Sequence, residues 1–233
     1  MPDLSIEKSL WKQGYRNIVG IDEVGRGSWA GPLVVGAVIL PKSFIIPSGF
    51  ADSKHVKTLA RKKFAQYIYR HAKAWSIAEI PVSVINRLGI GKATHIGFRK
   101  AVRLLLPKPD FLLIDAFYIK QLNRKNQKPI VHGDEKSASI AAASIIAKVY
   151  RDNLMKKLGK IYLHYGFAKH KGYGTKIHQK AIRQYGFCKI HRISFNLNFL
   201  IPSEKTLAFM PGMKRILSEE KRTTAERTWE SIS

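Results

Sequence analysis

Asn17-Ile18-Val19-Gly20-Ile21-Asp22-Glu23-Val24-Gly25-Arg26-Gly27 is the stretch that decides the fold. Its Ile and Val residues read as a strand from Asn17 to Val24, and the glycines that follow permit a tight turn. Leu33 to Leu40 reads as a second strand, and the short connection Gly25 to Pro32 suits an antiparallel pair. Asp22 and Glu23 stand at the end of the first strand. Burying a carboxylate there costs on the order of several kcal/mol unless it is paired or binds a metal. Neighbours along a strand point to opposite faces, so these two share one site only if the strand ends or twists, and Gly25 offers such an ending.

Downstream, Asp52 is the expected N-cap of a helix that carries Val56, Leu59, Ala60, Phe64, Tyr67, Ile68 and His71 at helical spacing. Ala74 to Pro81 reads as a third strand, and Ser83 to Leu88 and Lys92 to Leu106 as helices. Phe111-Leu112-Leu113-Ile114, flanked by Asp110 and Asp115, has the unbroken apolar character of a strand buried on both faces. Gln121 to Lys128 reads as a polar loop and Pro129 to His132 as a last short strand. Ser137 to Leu158 reads as a helix that starts with small residues able to approach a sheet closely, with Gly159 as its C-cap. Early strands followed by alternating helices and strands predict an α/β domain with a mixed central sheet and helices on both faces. Residues 1–200 are expected to form that domain, and 201–233 a C-terminal extension, helical or partly disordered.

The 233 residues carry a formal net charge of +25, which points to a polyanionic partner, and a 45% hydrophobic content supplies a real core. From Lys136 to Ser203 there are thirteen Lys and Arg and a single acid. Apolar runs fall short of the roughly 18 to 20 residues that a membrane span requires. One cysteine, Cys188, excludes an internal disulfide and a cysteine zinc cluster. The start of the chain does not read as a signal peptide, so the expectation is a cytoplasmic monomer with no membrane partner.

Against this basic background the few acids are informative. Most read as caps or solvated flanking charges, which leaves Asp22, Glu23, Asp115 and Asp134, each at the end of an apolar strand or just after one. In open α/β sheets strand ends form the crevice where ligands bind. Any one of these acids could as well cap a helix or pair with a base. Four gathered together would repel one another without a cation. Hard oxygen donors without cysteine favour Mg²⁺ or Mn²⁺, and a pair of such ions can activate water while stabilising the leaving oxygen of a phosphodiester.

Gly20 to Gly27 with Ala30-Gly31-Pro32 resembles the opening signature of ribonuclease HII. Asp52-Ser53-Lys54, Gly133-Asp134, Ser139 to Lys148 with Arg151-Asp152, His170-Lys171-Gly172-Tyr173 with Thr175, and His191-Arg192 before Ser194-Phe195 continue the resemblance in family order, over about residues 17 to 196. It implies an RNase H-like three-layer fold and an endoribonuclease acting on the RNA strand of RNA/DNA hybrids and at single ribonucleotides in duplex DNA. A two-metal-ion mechanism leaving 3′-hydroxyl and 5′-phosphate ends is implied with it. The family's metal-binding carboxylates fall on Asp22, Glu23, Asp115 and Asp134. Its ribose-reading element falls on Gly25, Arg26 and Gly27, its sugar-packing tyrosine on Tyr173 and its phosphate-contacting lysine on Lys54. His170, Lys171, His191 and Arg192 are candidate contacts to the nucleic-acid backbone. Ser28-Trp29 stands where the family usually has proline and leucine, and Gly174 where it often has proline. Ribonuclease HIII shares these motifs but adds an N-terminal domain for which too few residues precede Asp22. A non-catalytic basic nucleic-acid-binding protein would account for the charge but not for four acids at strand ends. A repair or replication partner is not specified by any of these features.

Overall fold

The computed structural model describes residues 1–50 and 57–201. A short helix α1 (Ser5–Lys12) precedes strands β1 (Ile18–Val24) and β2 (Leu33–Ile39), then α2 (Thr58–His71), β3 (Ala74–Ile80), α3 (Val82–Leu104), β4 (Phe111–Asp115) and β5 (Gln127–Ile130). The one-turn α4 (Gly133–Lys136), the long α5 (Ala138–Ile161), α6 (Phe167–His170) and α7 (Lys176–Tyr185) follow. The sheet order is β3-β2-β1-β4-β5. β1, β2 and β3 pair antiparallel, whereas β4 runs parallel to both β1 and β5. This is the expected mixed sheet.

Alternation along β1 and β2 sorts the layers. Val19, Ile21, Val35, Ala37 and Ile39 pack with Phe98 and Ala101 of α3 on one face. Gly20 and Gly36 face α5, where a Cβ on Gly20 would lie 2.1 Å from the Ser139 carbonyl carbon and one on Gly36 would lie 2.3 Å from the Ala143 oxygen. Helix α2 packs beside α5 through Ala65 and Ile68. The result is three layers, with α2 and α5 on one side and α3 on the other.

Several boundaries depart from the sequence-based expectation. The helix expected to open at Asp52 starts at Thr58 in the described chain; Asp52, Ser53 and Lys54 lie outside the described residues. The two helices expected at Ser83 to Leu88 and Lys92 to Leu106 are both present within α3, which kinks between them at Gly89, whose φ of 76° is readily adopted only by glycine. The last strand is Gln127–Ile130, not Pro129–His132. Val131 is exposed, and His132 turns the chain in a left-handed conformation into α4. Gly159 does not cap α5, which continues to Ile161. Its missing side chain instead lets α6 approach, since a Cβ there would sit 2.7 Å from the Ala168 nitrogen. The expected C-terminal extension lies outside the described residues beyond Ile201. No described helix is long and apolar enough to cross a membrane.

Because Gly20 meets helix backbone and not a movable side chain, Gly20→Ala is expected to cost at least about 2 kcal/mol, toward the upper range for overpacking. Urea denaturation of the two proteins reads this directly, and an unchanged midpoint would contradict the close contact.

Candidate active site

The parallel ladder between β1 and β4 stops at the pair Ile21–Ile114, while β1 continues against β2 through Val24. A notch therefore opens beside the last residues of β1. Asp22 leans to the α5 side, where the Ser144 side chain hydrogen-bonds it, and its Oδ1 accepts the Glu23 N–H at 2.6 Å. Glu23 lies on the opposite side and pairs with Arg26 at 3.4 Å. β1 ends at Val24, just before Gly25 at φ 90°, as its sequence suggested, and β4 has already ended beside it. Asp115, the last residue of β4, accepts the Gly133 N–H at 2.8 Å and so ties β4 to α4, which carries the buried Asp134.

These carboxylates are near enough to feel one another's charge. Burial raises the Asp22 pKa well above the ordinary carboxylate range, and the charges of Glu23, Asp115 and Asp134 push it in the same direction. Burial also raises Glu23, with Arg26 opposing and Asp115 adding to the shift. As they stand, no three His, Cys, Asp or Glu side chains among the described residues are gathered closely enough to hold an ion. The donor set nonetheless fits a divalent cation. It offers hard oxygens whose mutual repulsion a cation would relieve, and Asp22 is buried where lone ionisation is costly.

Beside the carboxylates, residues 25–32 form a loop held from beneath by two fully buried arginines. Arg151 donates to the Pro32, Ala30 and Lys171 carbonyls and to Ser28 Oγ, which in turn donates to the Gly25 carbonyl. Arg192 donates to the Arg26 and Gly31 carbonyls. Arg26 and Gly27 remain exposed. Tyr173 is 37% exposed, and its ring lies 5.7 Å from the Arg151 guanidinium. Gly172, at φ 84°, accepts the Trp29 and Ala30 N–H groups, which joins the Tyr173 segment to the loop.

A chain of imidazoles supports the same segment. The Cys188 N–H donates to His191 Nδ1 at 2.8 Å, so His191 carries its proton on Nε2 and donates it to His178 Nε2 at 3.0 Å. His178 Nδ1 then donates to the Tyr173 carbonyl at 3.0 Å. Burial depresses both rings, His178 to about 4 and His191 to about 3, which keeps the chain neutral. His191 and Arg192 were expected to touch the nucleic-acid backbone. With exposures of 1% and 0% they instead spend their donors on the protein, so they act from underneath. His170 is similarly engaged with the Tyr165 carbonyl and the Gly172 N–H, and the Lys171 ammonium with the Ala168 and Lys169 carbonyls. Lys54 lies outside the described residues.

The sequence profile of ribonuclease HII matches residues 19–198. The chain belongs to the ribonuclease HII family. It is 48% identical over 189 residues to the ribonuclease HII of Desulfitobacterium hafniense strain DCB-2, covering 81% of this chain and 72% of that one. It is 45% identical over 199 residues to that of Chloroflexus aurantiacus, covering 84% and 93%. Among solved structures, ribonuclease H2 from Pyrococcus horikoshii superposes with a TM-score of 0.63 at 25% identity, covering 76% of this chain and 92% of that one. As a member of that family the chain is a divalent-metal-dependent nuclease acting on RNA/DNA.

Against that ribonuclease HII background, Ser144, Arg151 and His178 support the site yet escaped the sequence reading as functional residues. Arg151 lies within a quoted motif but reads there as one more base, and nothing in the sequence places His178 under Tyr173. Trp29 and Gly174, noted as separate departures, prove to be partners. A Cβ on Gly174 would lie 2.3 Å from the Trp29 indole.

Two outcomes follow for this site. Unfolded Asp22 ionises near 3.8, below its folded value, so the cost of burying its charge grows as pH rises from there through the folded pKa. In chelator, Asp22→Asn is expected to melt above wild type at pH 7, with the gain shrinking toward pH 4; a lower melting temperature at pH 7 would contradict this. Gly174→Ala should lose about 1–3 kcal/mol. That loss should be about 1 kcal/mol or more smaller in a Trp29→Leu background, and a double-mutant cycle without coupling would refute the packing argument.

Proposed function

We propose that the chain is an endoribonuclease that hydrolyses the RNA strand of RNA/DNA hybrids and also incises at single ribonucleotides embedded in duplex DNA, leaving 3′-hydroxyl and 5′-phosphate ends. The observation that supports the reading is that Asp22, buried beside the β1–β4 notch, feels the charges of Glu23, Asp115 and Asp134 in a chain with net charge +25. Asp22 and Asp115 would hold two Mn²⁺ or Mg²⁺ ions, with Glu23 and Asp134 completing the shell. Bound there, such ions supply water activation and stabilisation of the leaving oxygen.

The remaining work falls to the chain's own groups. The turn Gly25-Arg26-Gly27, exposed at Arg26 and Gly27, can bring backbone polar groups against a ribose, and the 2′-hydroxyl is what distinguishes RNA from DNA at a site. Tyr173 offers its ring to the sugar at the RNA-to-DNA junction, on a segment fixed to the loop through Gly172. Arg192 and His191 fix the loop and the tyrosine segment from below, and Lys54 would contact phosphate. We take residues 1–200 to be the catalytic unit, working as a cytoplasmic monomer.

A duplex carrying one ribonucleotide is expected to be nicked at the ribonucleotide with Mn²⁺ or Mg²⁺ and left intact in chelator. Asp22→Asn or Asp115→Asn should lower the rate by at least about 1,000-fold (~4 kcal/mol in barrier), while binding of the duplex persists. Metal-independent cutting, or no nick by the wild type, would overturn the assignment, the latter in favour of a basic binding protein.

A further inference from the structure

Helix α3 and the segment that lies along it form a second charged surface, separate from the base-rich region after residue 136. Across its 23 residues α3 carries Arg87, Lys92, His95, Arg99, Lys100 and Arg103 and not one Asp or Glu. The segment 116–128 beside it adds Lys120, Arg124, Lys125 and Lys128, again without an acid. The Arg99 guanidinium donates to the Lys120 carbonyl at 3.1 Å and the Lys120 N–H meets His95 Nδ1 at 3.4 Å, so helix and segment form one surface. A groove of about 420 Å³ runs between them, lined by Ile96, Arg99, Lys100, Arg103, Leu104 and Gln121.

This surface is continuous with the notch. Arg26, paired with Glu23, stacks over Phe117 at 5.1 Å, and His95 meets the other edge of Phe117 at 5.4 Å. His95, Arg99 and Arg103 follow at four-residue intervals, which places them on one face of the helix. That stripe is about 12 Å long, or three to four base-pair steps. None of Arg99, Lys100, Arg103 and Lys120 is in an ion pair among the described residues. A row of uncompensated cations in one helix face is unfavourable to the folded chain by itself, and phosphates relieve it.

We propose that the α3 face, from His95 to Arg103 with Lys100 and Lys120, is a phosphate track that grips the arm of the nucleic-acid duplex extending from the carboxylate notch. It rests on the reading that the notch is the cleavage site, and adds to it a direction along which the substrate leaves. The track touches no reacting atom; it sets affinity for long duplexes and leaves the rate at saturation alone.

The test measures binding in chelator, where no cleavage is needed, to ribonucleotide-containing duplexes whose arms are lengthened stepwise on either side of the ribonucleotide. Wild type should gain affinity with one arm and reach a plateau. Arg99→Glu/Arg103→Glu should lose at least 10-fold on the long duplex and little on the shortest, and its log–log salt slope should fall by about 2. Arg103→Glu alone, at an exposed position, should show about half that fall and guards against misfolding of the double variant. Lys63→Glu/Arg70→Glu on α2, across the sheet, makes the same change in net charge and should leave the arm dependence intact. An equal loss in that control would mean that net charge alone acts, and unchanged affinity or slope in the α3 variants would equally overturn the track. If wild type binds with arm dependence but does not nick in Mn²⁺ or Mg²⁺, the cleavage reading fails while the track stands as a binding surface.

Discussion

The close seating of α5 on β1 and β2 is the constraint on which the rest depends. Gly20 and Gly36 leave no room for a side chain, and the helix answers with Ser139, Ala143 and Ala147. Only at that separation does Ser144 reach Asp22, and only then does Arg151, farther along the same helix, reach the loop at Gly25. Ser137 caps the helix by accepting the Ile140 N–H, and the buried Glu7 of α1 accepts from the Ser137 and Ser139 hydroxyls, so the helix start is pinned in position. One helix thus sets both the floor of the notch and the height of the loop.

Most of the architecture was legible because its signals are local. Alternating and unbroken apolar runs gave the strands, and the small residues of Ser139 to Ala147 announced a helix pressed against a sheet. The acids at the notch were legible by elimination, since so few exist in so basic a chain. What could not be read was anything set by a partner distant in sequence. Gly159 looks like a helix end by itself, yet its neighbour is Ala168 across a turn. His191 and Arg192 look like surface bases until the loop at Arg26 and Gly31 is placed on top of them. The notch beside Asp22 and Glu23 opens where the β1–β4 ladder stops, a fact of register that their own strand does not contain.

Opposite charges divide the molecule's labour. Carboxylates are rare, and four of them lie beside one notch, where their repulsion makes the ion-free fold poorer than it need be. Bases are abundant, and Arg26 with the α3 stripe borders that notch, where they make a polyanion welcome. Neither arrangement is optimal for an isolated chain, and both become favourable once divalent ions and a phosphodiester are present.

Arg151 and Arg192 carry a last implication. Their hydrogen bonds go to carbonyl dipoles and a hydroxyl, and although burial lowers Arg192 to about 9 it stays protonated at neutral pH. Two positive charges therefore sit in dry protein directly below an exposed glycine turn. Counter-ions in solution screen lysines on the outside within roughly 8 Å at physiological ionic strength, but they cannot enter between this turn and its foundation. The attraction felt at the turn should thus outlast that of the surrounding surface as salt rises, leaving the turn as the place where a sliding duplex is held longest.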